Sequence, residues 1–194
     1  MSADERERWN ARYREAGHEP GQPSRFLRSV SDLLPGRGRA LDAGGGSGRN
    51  ALWLARRGLD VTLVDIAEEG LARAAEAAQR QGARLRTVCL DLENLENLEA
   101  EPLPQGPWDV IVDIHFLLRS LMPGLAASLA PGGVLVFAHP TVTNLQRHAR
   151  PSRRYLLEDR ELPGLLPGLE PVLYREGWNE DGRHEAELVA RRAR

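Results

Sequence analysis

Residues 41–50 read LDAGGGSGRN, with four glycines inside the five positions 44–48, directly behind an aspartate. Glycine loses more conformational freedom on folding than any other residue. Such a cluster marks backbone that turns through positive φ or that approaches a neighbour too closely for a Cβ. Before it stands the short apolar run RALDA; after it comes RNALWLARRG, whose apolar spacing and closing Gly58 predict a helix. A strand that enters a helix through a glycine turn aims backbone N–H groups and a helix N-terminus at whatever binds there.

The alternation continues downstream. DVTLVD predicts a second strand, AEEGLARAAEAAQRQG a helix closed by Gly82, and RLRTVCLD a third strand. WDVIVDI is a fourth, LLRSLMPGLAASLAPGG contains a helix, and VLVFAH is a fifth. Strands alternating with helices imply right-handed crossovers and a parallel sheet covered on both faces, and the unbroken apolar runs VIV and VLVF suit strands buried on both sides. The end differs: LEPVLYREGWNEDGRHEAELVARRA has no room for a crossover helix and reads as two antiparallel strands turning at Asn179–Gly182. The expected fold is therefore α/β, a doubly wound, mostly parallel sheet with a C-terminal antiparallel hairpin and helices on both faces.

Ahead of the alternation, ADERERWNARYREAG predicts a short helix with Trp9 and Tyr13 four apart, ending at Gly17. HEPGQPS breaks it, and Ser24 to Leu34 predicts a second helix through Phe26, Leu27, Val30, Leu33 and Leu34. One domain is expected over 1–194: a helical cap segment at 1–36, a ligand-binding core at 38–140, a variable loop at 140–160 and the closing hairpin at 168–194. The tandem ENLENLEA at 93–100 is too short for a repeat architecture.

Composition excludes some functions. No apolar run approaches the roughly 18 to 20 residues that span a bilayer, and MSADERERWN is charged where a signal peptide is apolar, so a cytoplasmic protein with no membrane role is expected. The lone Cys89 cannot form an intrachain disulfide and reads as core packing beside Val88 and Leu90. All 26 basic residues are arginine, and the net charge of −2 argues against a general nucleic-acid binder. One basic run, Arg147, His148, Arg150, Arg153 and Arg154, reads as a solvated loop or as a lid attracting an anionic substrate.

The glycines alone do not name the ligand. Read from Gly44, the dinucleotide pattern G-x-G-x-x-G fails at Arg49; read from Gly46, GSGRNA satisfies its alanine variant, so an NAD-dependent oxidoreductase stays open. The positions of the acids favour another ligand. Asp42 closes the first strand, where a carboxylate repels pyrophosphate and attracts an ammonium group. Asp65 closes the second strand, about 20 residues past the glycines, the place from which a carboxylate accepts hydrogen bonds from ribose hydroxyls. Asp91 closes the third and could accept from an adenine amino group. Carboxylates on three successive strand ends describe a pocket for a neutral-to-cationic adenosine compound.

With Asp42, Gly44, Gly46 and Gly48 as D-x-G-x-G-x-G, Asp65 after the second strand, Asp91 and Leu92 after the third, and LAPGGVLVF leading into the fifth, the chain resembles class I S-adenosylmethionine-dependent methyltransferases. RWNARYREAG with PSRFL, GRNALWLARRG, HFLLRSLMP and RYLLEDREL resemble the bacterial branch related to tellurite-resistance methyltransferases. The resemblance implies a seven-stranded Rossmann-like sheet with one reversed strand. Its cofactor would be S-adenosyl-L-methionine, leaving as S-adenosyl-L-homocysteine, and its acceptor a small molecule or inorganic oxyanion. The implied cofactor-binding residues are Asp42, Gly44, Gly45, Gly46, Gly48, Asp65, Ile66, Asp91, Leu92 and Asp113; no metal is implied. A binding module without catalysis remains a third reading, because little of the acceptor side is identifiable.

At the rim, His115 follows the fourth strand and is the candidate general base for a hydroxyl, amine or thiol acceptor, unless a backbone carbonyl satisfies it. Asp113, two residues earlier, points to the same face and could orient His115 or line the cofactor's amino end. His139 is a weaker candidate.

Overall fold

The computed structural model describes residues 3–15, 20–94 and 103–194. The helix stop at Gly17 and most of the tandem at 93–100 lie outside them. The elements run α1 (Ala3–Glu15), α2 (Arg25–Ser29), β1 (Gly38–Ala43), α3 (Arg49–Arg56), β2 (Leu59–Asp65), α4 (Glu68–Gln81), β3 (Leu85–Cys89), β4 (Trp108–Ile114), α5 (Met122–Ser128), β5 (Leu129–Pro140), β6 (Leu169–Trp178) and β7 (His184–Arg192).

The seven strands form one sheet in the order β3-β2-β1-β4-β5-β7-β6. Strands β1 to β5 pair in parallel, and β7 inserts antiparallel between β5 and β6. The five-strand alternation, the hairpin and the single reversed strand all appear. The chain runs from β1 through β2 to β3 on one side, then returns to β4 and β5 on the other side of β1, so the strand order reverses between β1 and β4. A ligand crevice opens above the carboxyl ends of the strands at such a switch point.

Side-chain alternation splits the core in two. Val110 and Val112 of β4 face α2, α3 and α4 with Val61, Leu63 and Leu71, while Ile111 faces α5 with Leu135, Met122 and Leu125. The runs read as continuous apolar segments are thus buried on both faces.

Three expectations change. The helix expected over Ser24 to Leu34 stops at Ser29 and continues as a 3₁₀ turn at Ser31–Leu33. The Ser29 hydroxyl donates to the Phe26 carbonyl, competing with the helical ladder, and Val30 leaves helical geometry at φ −108° and ψ 16°. The fifth strand begins five residues earlier than expected, at Leu129, which pairs with Trp108 across an irregularity. Cys89 is exposed: β3 is the sheet's edge, its buried alternates are Val88 and Leu90, and the thiol lies at the open side by the Ile66 carbonyl.

Candidate active site

Four acids end four adjacent strands. In sheet order these are Asp91 after β3, Asp65 on β2, Asp42 on β1 and Asp113 on β4. The glycine loop between β1 and α3 lies over this row. Gly46 and Gly48 have φ of +58° and +78°, values that cost an L side chain roughly 1–2 kcal/mol. A Cβ on Gly48 would come within 2.8 Å of the Ala74 Cβ on α4, so the third glycine is where α3 and α4 close on the loop.

The two central acids hold that loop. Asp65 accepts from the Gly46 amide through Oδ2 and from the Ala67 amide through Oδ1, both at 2.8 Å. Asp42, buried beneath the loop, accepts from the Ala51 amide at 2.9 Å. Ala51 is the third residue of α3, whose N-cap is Gly48, so Asp42 supplies the cap that glycine has no side chain to give. The strand-end position of Asp42 predicts a side chain facing the ligand; in the structure its hydrogen bond goes to the helix.

Burial governs the electrostatics. It lifts Asp42 to about 7, against the pull of the Ala51 amide and Arg49. It also raises Asp65, whose backbone donors partly offset the effect. Asp113 is fully buried with neither carboxyl oxygen in a well-formed hydrogen bond, and burial followed by the charge of Asp42 holds it well above the carboxylate range against a lesser pull from the Phe116 amide. A crevice floored by mutually coupled carboxyls disfavours added anionic charge and is neutralised by a cation. Further along, Asp91 accepts from the Glu93 amide at 3.0 Å. Ile66 and Leu92 are buried, and the Leu92 side chain belongs to the core with Val88 and Leu90.

Side chains cover the loop from above. A Cβ on Gly44 would overlap the Phe116 ring, and one on Gly46 the Tyr13 hydroxyl; a Cβ on Gly45 would meet Leu63 and Asp42 at 2.5 to 2.6 Å. Tyr13 comes from α1, which docks on α4 through the Asn10 side-chain Oδ1 accepting from the Glu69 backbone amide at 3.1 Å. Burial, then the charge of Asp65, pushes the Tyr13 phenol up to about 12. The four-residue spacing of Trp9 and Tyr13 signals a helix, and nothing in it signals that Tyr13 reaches the glycine loop.

His115 directly follows β4 at φ +69°, one of two non-glycine residues with positive φ among the described residues. Its Nε2 lies 2.9 Å from Glu185 Oε1 on β7, and its Nδ1 3.5 Å from an Arg49 guanidinium nitrogen at the start of α3. Asp113 does not orient it; Glu185, seventy residues away in sequence, does. The other Glu185 oxygen accepts from the Asn179 amide nitrogen at 2.9 Å. Burial would raise Glu185, yet His115 first, then Arg183 and His139, hold it below the ordinary value. A cavity of about 500 Å³ lined by Phe26, Arg175, Trp178 and Glu185 lies on the hairpin side of this pair.

His139 is buried and donates through Nε2 to the Tyr155 carbonyl at 2.7 Å, and burial lowers it to about 4. The basic run is an exposed loop in which Arg147 stacks on Trp178, Arg153 pairs with Glu158, and Arg154 stacks on Tyr155.

Residues 40–133, the segment from β1 into β5, match the methyltransferase domain family. Over that segment the chain is similar to class I S-adenosylmethionine-dependent methyltransferases. It is 33% identical over 117 residues to tRNA 5-carboxymethoxyuridine methyltransferase of Escherichia coli K12, a match covering 56% of this chain and 42% of that protein. It is 34% identical over 121 residues to ubiquinone biosynthesis O-methyltransferase of Caulobacter sp. K31, covering 59% and 46%. The matches thus span less than half the length of these curated relatives. The fold is shared with TehB of Haemophilus influenzae at a TM-score of 0.66 and 22% identity, over 86% of this chain and 61% of that one. No helix among the described residues is long and apolar enough to cross a membrane.

Proposed function

We propose that this methyltransferase domain takes a methyl group from S-adenosyl-L-methionine and places it on a small-molecule acceptor at the rim beside His115, in the cytoplasm. The observation that carries the reading is the row of acids beneath a loop whose amides they hold. Asp65 would hold the ribose, Asp91 the adenine end, and Asp42 with Asp113, carboxyls that burial keeps largely protonated in the free protein, would give up their protons against the ammonium and sulfonium charges. When bound, the cofactor supplies an electrophilic methyl on a good leaving group. The chain's own task is to align the acceptor in a dry crevice, and ideal positioning is worth on the order of 7–11 kcal/mol.

Several observations favour this over the alternatives. The GSGRNA pattern that kept NAD open ends at Ala51, and its amide is committed to the Asp42 carboxyl, which already takes the donor a phosphate would need. A small acceptor is favoured over a nucleic acid because the net charge is −2 and the exposed Arg147, Arg153 and Arg154 already have partners in Trp178, Glu158 and Tyr155. The crevice acids weigh the same way. Catalysis is favoured over a binding module by His115, held in a strained conformation between an acid and the glycine loop.

The test is a radiolabelled methyl-transfer screen over hydroxyl compounds, thiols, tellurite and tRNA, run beside calorimetric titration with S-adenosylhomocysteine. Binding with transfer to a small molecule is expected. Binding with transfer to tRNA alone would overturn the acceptor class, and no binding would overturn the reading.

A further inference from the structure

The relation between His115 and Glu185 narrows the chemistry of the acceptor, on the reading that the domain transfers methyl groups. Glu185 is 7% exposed and ionised, so it can only accept, and the 2.9 Å contact therefore requires a proton on His115 Nε2. On the opposite side of the ring, the Arg49 guanidinium has only donors to offer, so Nδ1 faces it with a lone pair. A carboxylate on one nitrogen and a cation at the other select one neutral tautomer. Asn179 fixes the far oxygen of Glu185, and the strand pairing of Glu185 with Pro140 fixes its backbone.

This apparatus has a specific use. A soft anion such as tellurite or a thiolate attacks a methyl sulfonium with no proton to lose, and a dyad would add nothing. A hydroxyl oxygen must shed its proton as it bonds to carbon, and a base with a defined lone pair serves that step. The base nitrogen, Nδ1, is on the glycine-loop side of the ring, whereas Glu185 lines the cavity on the hairpin side, a cavity that Arg49 and the loop do not line. Glu185 therefore acts through His115 and does not itself meet the acceptor.

We propose that Glu185 is a positioning residue that fixes His115 as its Nε2–H tautomer, and that the acceptor is a hydroxyl compound whose proton passes to Nδ1. The acceptor hydroxyl displaces the long 3.5 Å Arg49 contact from Nδ1; as the O–H bond breaks toward Nδ1, an oxygen lone pair forms the new O–C bond. The methyl–sulfur bond breaks with its electron pair left on sulfur, which becomes a neutral thioether. The imidazolium then returns its proton to water. The charged or titratable groups around the ring are Glu185 on β7, Arg49 on α3, His139 on β5 and Arg183 in the hairpin turn.

The test uses the full chain, Glu185→Gln, Glu185→Asp and His115→Asn, the last because asparagine tolerates positive φ. Imidazole ¹⁵N spectra should show His115 as the Nε2–H tautomer in the wild type and as a mixture in Glu185→Gln. Methyl transfer is then compared for phenol, un-ionised at neutral pH, and for pentafluorophenol, already ionised. Both Glu185→Gln and His115→Asn should lower kcat for phenol about 10²-fold or more with little change in KM, leave pentafluorophenol within a few-fold, and bind S-adenosylhomocysteine as the wild type does. Glu185→Asp should recover part of the loss. Equal losses on both phenols, an unchanged tautomer, or transfer confined to tellurite and thiols would overturn the inference while leaving methyl transfer standing. Absent S-adenosylhomocysteine binding by the wild type would overturn the proposed function and this inference with it.

Discussion

The hydroxyl of Tyr13 rests on Gly46, in the space a Cβ at that position would fill. The N-terminal helix thereby reaches the loop that Asp65 holds, and one substitution probes both. Gly46→Ala meets the phenol as well as an unfavourable φ of +58°. It should cost about 2 kcal/mol or more of stability and weaken S-adenosylhomocysteine binding. Gly82→Ala is the control, with φ of +60° and nothing within 4 Å. It should cost about 1 kcal/mol and leave binding alone. Thermal melts and calorimetry on the pair separate strain from crowding; equal effects would mean that Tyr13 does not press on the loop.

Asp65 holds two amides with two oxygens. Asparagine can match only one of them and turns an NH₂ toward the other. An unmatched buried donor costs about 1–3 kcal/mol. Asp65→Asn should therefore lower Tm and weaken S-adenosylhomocysteine binding tenfold or more; wild-type affinity in this variant would remove Asp65 from the site.

The pH dependence of stability carries the mark of Asp42, raised by burial to about 7 from an ordinary 3.8. Between those values the folded chain holds a proton that the unfolded chain has released, so this group's contribution falls as pH rises, by on the order of a few kcal/mol across the window. Asp113 adds a slope of the same sign, while His139, lowered to about 4, adds an opposite one below its ordinary 6.5. Comparing Asp42→Asn with the wild type cancels most of the other contributions. The Tm of the variant should gain on the wild type from pH 4 to about 7 and then hold level. A gap independent of pH would mean that Asp42 is ionised throughout.

Local chemistry made much of this legible in the sequence. Gly44, Gly46 and Gly48 announce positive φ because only glycine adopts it freely, and Gly58 and Gly82 stop helices for the same reason. Asp65 and Asp91 fall where apolar runs end, so strand ends and acids are read together. The misses share one cause, which is contact between residues far apart in the chain. Glu185 reaches His115 across seventy positions, and it reads in sequence as one more charge on a hairpin. Tyr13 crosses to Gly46 by way of α4, and the signal at Trp9 and Tyr13 is only helical spacing. Asp113 is buried against Asp42 with neither oxygen in a well-formed hydrogen bond, which alternation cannot reveal. The shortened α2 shows a further limit: apolar periodicity reports which face is buried, and Phe26, Leu27 and Val30 are buried as expected, but it does not report whether the backbone ladder is continuous.

The central claim is that carboxyls ranked along four strand ends suit a cationic adenosyl ligand and repel a pyrophosphate. Isothermal titration of the wild-type chain with S-adenosylhomocysteine and, separately, with NAD tests it most directly. Saturable binding of S-adenosylhomocysteine, with no heat from NAD, is the predicted result; binding of NAD with none of S-adenosylhomocysteine would contradict it.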